Sequence, residues 1–306
     1  MHDPTEFVLT SGFLAALGIF TITSIARKFL RRSPEDPVPF EEIPHDGESP
    51  YSPPVNDGFE EEPPEEKVPT WFYRASDLIG VGLIFLVFFG LVIGSVRAAE
   101  KAEVTLDPGG LIASIGFQFV IAGLVTMTVI RRIRPSEWLG LHWRSWPWVF
   151  LIAPGAVITM WSIFAALQFS GYTKWMESLG VESVQETVKL LQTATDPLIL
   201  GLMAFAAVIA APICEEIVFR GYLYPATKRF AGPWAAGICS ALIFASAHGS
   251  LSALLPLFIF GCVLVFVYEK TGSLWAPIAV HFCFNGATVL IQMAVRFGDL
   301  PLDSLQ

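Results

Sequence analysis

The chain has 306 residues, 53% of them hydrophobic and only 15% charged, with a mean hydropathy of +0.57. Soluble domains carry about 25% charged residues, so this composition excludes an ordinary globular protein and predicts a membrane one. The net charge of −9 is local: Ser33–Pro69 holds twelve Asp and Glu against one Lys, while the remainder has 16 acidic and 18 basic residues. The acidity therefore says nothing about substrates, and no nucleic-acid partner is expected.

Apolar stretches of roughly 18 residues or more read as membrane helices, because about 20 residues at 1.5 Å each span a ~30 Å hydrocarbon core. The first is "EFVLTSGFLAALGIFTITSIA", followed by "RKFLRR". Its positive charge comes after the apolar part, so residues 1–32 predict a retained anchor with its basic end in the cytoplasm and not a signal peptide. Residues 33–69 contain ten prolines and few aliphatic side chains, which predicts a disordered acidic linker with His45 as a solvated side chain.

"WFYR" at 71–74 reads as an aromatic belt at a membrane entry. Seven more spans are expected, near 77–96, 109–130, 147–169, 197–222, 233–249, 251–268 and 274–294. Together they predict an all-α, polytopic membrane bundle of about eight transmembrane helices. Residues 70–196 form its N-terminal part, 197–295 its core and 296–306 a tail. "RRIR" (131–134) and "KR" (228–229) mark cytoplasmic ends, which puts both termini outside. "LGLHWRSWPW" (139–148) predicts an interfacial segment in which His142 is an ordinary interfacial residue. Val181, Val184, Val188 and Leu191 recur at helical spacing, so 173–192 reads as one amphipathic surface helix lying on the membrane or on the rest of the protein. The four cysteines stand in apolar stretches without a C-x-x-C and read as small buried hydrophobes.

Three places in the C-terminal spans break the apolar rule: "EEIVFR" (Glu215, Glu216, Arg220), "FASAH" (Phe244 to His248) and "HFCFN" (His281, Asn285). Residues four apart share a helix face, so Glu216 can pair with Arg220 while Glu215 points about a quarter-turn away. Each charge at the centre of a membrane helix costs about 2.5–3.5 kcal/mol on insertion scales. Single pairs or single histidines of this kind are often structural, but six such polar groups on three helices predict a shared interior site. With the span ending near residue 222, Glu215 and His281 each lie about 10 Å deep. His248 lies about 22 Å along its own helix and does not match them. Gln118, Gln168 and Gln292 read as helix-packing or interface residues.

A carboxylate in an apolar cavity can act as general base on water, and an imidazole and a carboxamide can stabilise an oxyanion. The same residue types, one carboxylate and two imidazoles, also match a catalytic His₂Glu zinc site. H-E-x-x-H, G-x-S-x-G and G-x-G-D are absent.

E-E-x-x-x-R, F-x-x-x-H and H-x-x-x-N, in this order on successive membrane helices, resemble the CPBP family of CaaX-processing and bacteriocin-processing intramembrane proteases, also called the Abi family. The resemblance covers about residues 197–293 and leaves the anchor and linker outside. It implies an intramembrane endopeptidase in the cell membrane whose site opens to the cytoplasm, and a peptide or membrane-protein substrate. Carried across, Glu215 activates the attacking water, His248 assists it, and His281 and Asn285 stabilise the oxyanion. Glu216 and Arg220 hold the site in shape. The family has been described both as metal-free glutamate proteases and as metalloproteases. The preferred expectation is no cofactor, with zinc on Glu215, His248 and His281 as the other. A non-catalytic membrane scaffold or immunity-type binding protein, and a small-solute transporter, are the alternative functions. Oligomeric state is not readable.

Overall fold

The computed structural model describes residues 4–30, 67–99, 107–181 and 186–297. In chain order its helices are α1 (Pro4–Leu30), α2 (Asp77–Ala99), α3 (Pro108–Val129), the single turn α4 (Pro135–Trp138), α5 (Val149–Phe169), α6 (Tyr172–Ser178) and α7 (Glu186–Thr193). They are followed by α8 (Pro197–Ala231), α9 (Pro233–Ala247), α10 (Leu251–Thr271) and α11 (Trp275–Phe297). The protein is an all-α polytopic membrane bundle, and seven of these helices are long and apolar enough to cross a bilayer. Of the linker expected over 33–69, all but Lys67–Pro69 falls outside the described residues, as do His45 and most of the C-terminal tail.

Three expectations change. The span expected at 233–249 is α9, 15 residues or about 22 Å long, short of the ~30 Å core; the chain turns back at Gly249 (φ 66°). The helix expected over 173–192 is divided into α6 and α7, because Gly180 takes a left-handed conformation (φ 76°) that glycine adopts without steric cost. α7 packs on α11, where Arg296 Nη1 donates to Leu191 O (2.9 Å) and Gln192 pairs with Gln292. Finally, α8 does not stop near residue 222 but runs to Ala231.

The centre of the bundle is α10, 56% buried over its apolar window against 11–22% for the other long helices. α9 lies against it so closely that a Cβ on Gly261 would meet Ala241 Cα at 3.0 Å. α1 covers the other side of α9: the Cys239 thiol donates to Ala16 O (3.1 Å), and Gly12 abuts Ser246. The predicted anchor is therefore an integral wall of the bundle. Outward faces of α1, α2, α3 and α5 carry exposed Leu, Ile and Phe, the surface a helix presents to lipid.

The basic end of the bundle is closed by polar contacts. Asp77 accepts from Arg132 Nη1 (2.6 Å) and from the Tyr222 hydroxyl (3.2 Å). Glu269 Oε1 accepts from Lys228 and the Tyr224 hydroxyl, both at 2.7 Å. Val68, the last part of the linker, is wholly buried beside Tyr224 and Tyr268. Gly140 (φ 64°) lies directly on Gly272, and Leu274 N–H donates to Leu139 O (3.1 Å). Gly140→Ala puts a Cβ against that backbone in a left-handed conformation that costs L-residues about 1–2 kcal/mol. A loss of at least that much is expected, seen as a lower melting temperature in detergent; unchanged melting would mean the contact gives way freely.

Candidate active site

The "EEIVFR" segment follows one π-helical turn of α8, Ala206–Ala210, and its last two residues, Phe219 and Arg220, open a second, Phe219–Leu223. Each has a proline cause. Ala211 N–H bonds Ala206 O, so Ala207 O would next accept from residue 212, which is Pro212 and has no N–H. Asn285 Nδ2 donates to that carbonyl instead (2.8 Å). In the i→i−4 register of the helix that follows, Pro225 offers Gly221 O no N–H, and the Tyr73 hydroxyl and Trp138 Nε1 donate to that carbonyl. π-turns are rare in helices and concentrate at functional sites; here they fix the rotation of the segment between them.

That rotation sends the two glutamates different ways. Glu216, fully buried, turns towards α11: its Oε1 accepts from Arg220 Nη1 (2.9 Å) and from His281 Nδ1 (2.9 Å). Arg220 is also fully buried; its Nη2 donates to Gly261 O (3.1 Å) and its guanidinium lies 4.6 Å from the Phe244 ring centre. The expected pairing of Glu216 with Arg220 is therefore present, and His281 joins it. Phe244 is the hub, with ring centres 4.8 Å from His248 and 5.9 Å from His281. Phe260 stands edge-on to His281 at 5.3 Å.

Glu215 turns towards α2 and α3. With His248 it lines a cavity of about 320 Å³ whose other walls include Phe88, Val92, Phe117 and Gln118. Glu215 Oε2 is shielded from solvent and has no hydrogen-bond partner. His248 caps the end of α9, its Nδ1 donating to Phe244 O (2.8 Å). The mismatch in depth between Glu215 and His248 disappears because α8 continues past residue 222. Glu215 stands 17 residues before Gly232 and His248 16 after it, so both sit about 25 Å along the hairpin.

The structure joins Glu215 to His248, and Glu216 to Arg220 and His281. It does not bring His281 or Asn285 into the lining of the Glu215 cavity. Nor do Glu215, His248 and His281 converge as a His₂Glu centre: among the described residues no three His, Cys, Asp or Glu side chains are grouped as metal ligands. The residues do not fit the zinc expectation. Reading the sequence missed the carbonyls of Gly261 and Ala207 and the place of Gln118. The prolines at 212 and 225 were the available signal for freed carbonyls, and a lone glutamine on a lipid-type helix the signal for Gln118.

A helical membrane bundle enclosing a buried carboxylate–guanidinium–imidazole cluster beside a second carboxylate and histidine is the class this geometry defines. Residues 197–287 match the family described as "Type II CAAX prenyl endopeptidase Rce1-like". The chain is 27% identical over 222 residues, 71% of its length and 84% of the relative's, to "Putative membrane peptidase YdiL" of Bacillus subtilis (strain 168). It is 34% identical over 100 residues, 31% of its length and 40% of the relative's, to "Membrane-embedded CAAX protease MroQ" of Staphylococcus aureus (strain USA300). No solved structure matches it. Over residues 197–287 the chain is therefore similar to CPBP, CaaX-protease-like, membrane proteases.

Proposed function

We propose that the protein is an intramembrane endopeptidase in which Glu215 is the general base that activates water. The observation that carries this reading is the unpartnered, shielded Glu215 oxygen facing, with His248, a mostly apolar cavity. A carboxylate there is poorly solvated and has room for water and a peptide bond, which is what general-base hydrolysis needs. His248 shares the cavity and assists proton transfer. Glu216 and Arg220 hold the helices in place. An oxyanion role for His281 and Asn285 requires the substrate carbonyl to reach beyond the lining of this cavity, in which neither stands, and His281 to be an imidazolium, since its Nδ1–H is already given to Glu216. The positive-inside rule supports a cytoplasmic Arg131–Arg134 face, and the cell membrane is part of the same proposal.

The test is purified wild-type protein in detergent with a quenched peptide library, before and after exhaustive chelation, with elemental analysis of the same sample. Cleavage that persists in metal-free protein is expected. No cleavage of any peptide would favour a non-catalytic scaffold. Activity lost together with one zinc per chain would move Glu215 from base to ligand.

A further inference from the structure

The family match begins at residue 197, yet the wall facing Glu215 comes from α3, outside it. The α3 residues on this wall, Ser114, Phe117, Gln118 and Ile121, stand on one helix face. The threonines of α3 are satisfied within the helix: Thr126 donates to Ala122 O and Thr128 to Val125 O, both at 2.7 Å. Gln118 is not. Its Oε1 is shielded from solvent and has no partner, as is Glu215 Oε2 across the same cavity. A glutamine that merely joined helices would have an interhelical hydrogen bond, and no such bond is present among the described residues. A polar group buried without a partner is costly, so an unpaired carboxamide opposite an unpaired carboxylate marks where a third polar group belongs.

We infer that Gln118 is a substrate-contacting residue that pairs with the backbone amide of an extended peptide segment next to the bond presented to Glu215; this rests on the peptidase reading above. Two polar neighbours are already committed, the Ser95 hydroxyl to Val92 O (2.9 Å) and His248 Nδ1 to Phe244 O (2.8 Å). A carboxamide offers an acceptor and two donors side by side, complementary to the N–H and C=O of a peptide unit. A helical segment has spent those groups on its own i→i−4 bonds. Gln118 therefore selects a stretch that is unwound at the cavity, and supplies the bonds that water no longer gives it.

The test uses full-length protein in detergent, with Gln118→Met as a variant of similar length that lacks hydrogen-bonding groups. Binding of a fluorescein-labelled leucine/alanine peptide with a central Gly-Pro is measured in a Glu215→Gln background, and KM and kcat for the same peptide with Glu215 intact. Gln118→Met is expected to weaken binding about tenfold and to raise KM similarly, with the melting temperature unchanged because no bond within the protein is lost. An ester analogue lacking one backbone N–H should bind more weakly and be less sensitive to the substitution than the amide, because only its carbonyl is left to pair with Gln118. Unchanged binding and KM, or a lowered melting temperature without a change in KM, would overturn the assignment. If wild type binds but never cleaves while Gln118→Met still weakens binding, the peptide contact stands and the peptidase reading fails. If wild type cleaves and Gln118→Met changes nothing, the reverse holds.

Discussion

Glu216→Gln is expected to destabilise the protein by about 3–5 kcal/mol, the cost of breaking a buried ion pair by removing one partner. Arg220 is fully buried, and its contacts besides Glu216 include the neutral Gly261 carbonyl and the Phe244 and Phe219 rings. Among the described residues, Glu216 alone supplies its countercharge within hydrogen-bond reach. The glutamine oxygen can still accept from His281 Nδ1, so the damage comes from the uncompensated guanidinium and not from lost shape. Adding Arg220→Met removes that charge and should restore most of the stability. Melting temperatures in detergent measure both; a stable single variant would mean that Arg220 finds another compensating group.

Glu215→Gln should do the opposite. Glu215 makes no ion pair or hydrogen bond within the protein through its shielded oxygen, so expression and melting should stay close to wild type. The peptidase rate should fall by about 10²–10⁴, the usual contribution of a positioned general base. Adjacent carboxylates thus separate into one that costs stability when lost and one that costs rate.

Much of this was legible in the sequence because hydropathy in a membrane chain is read against a fixed thickness. Every long span was visible, and the i, i+4 spacing of Glu216 and Arg220 gave their pairing directly. Two things were not. Whether Pro225 ends a helix or is absorbed in one depends on partners far away in sequence, here Tyr73 and Trp138 on Gly221 O. Ending α8 near residue 222 therefore hid that Glu215 and His248 stand level along the hairpin. Which polar groups share a cavity depends on helix rotation, which the π-turns alter by one residue each; periodicity alone placed His281 and Asn285 beside Glu215, whereas their hydrogen bonds reach Glu216 and Ala207. Gln118 was visible as a polar residue, but only the packing of α3 against α8 shows what it faces.

The separate jobs of the two glutamates are tested most directly by one assay: cleavage of the same peptide by purified Glu215→Gln and by purified Glu216→Gln with Arg220→Met, at a temperature where both are folded. The geometry predicts background cleavage from the first and activity well above it from the second. An active Glu215→Gln protein beside an inactive, folded double variant would contradict it and make Glu216 the reacting carboxylate.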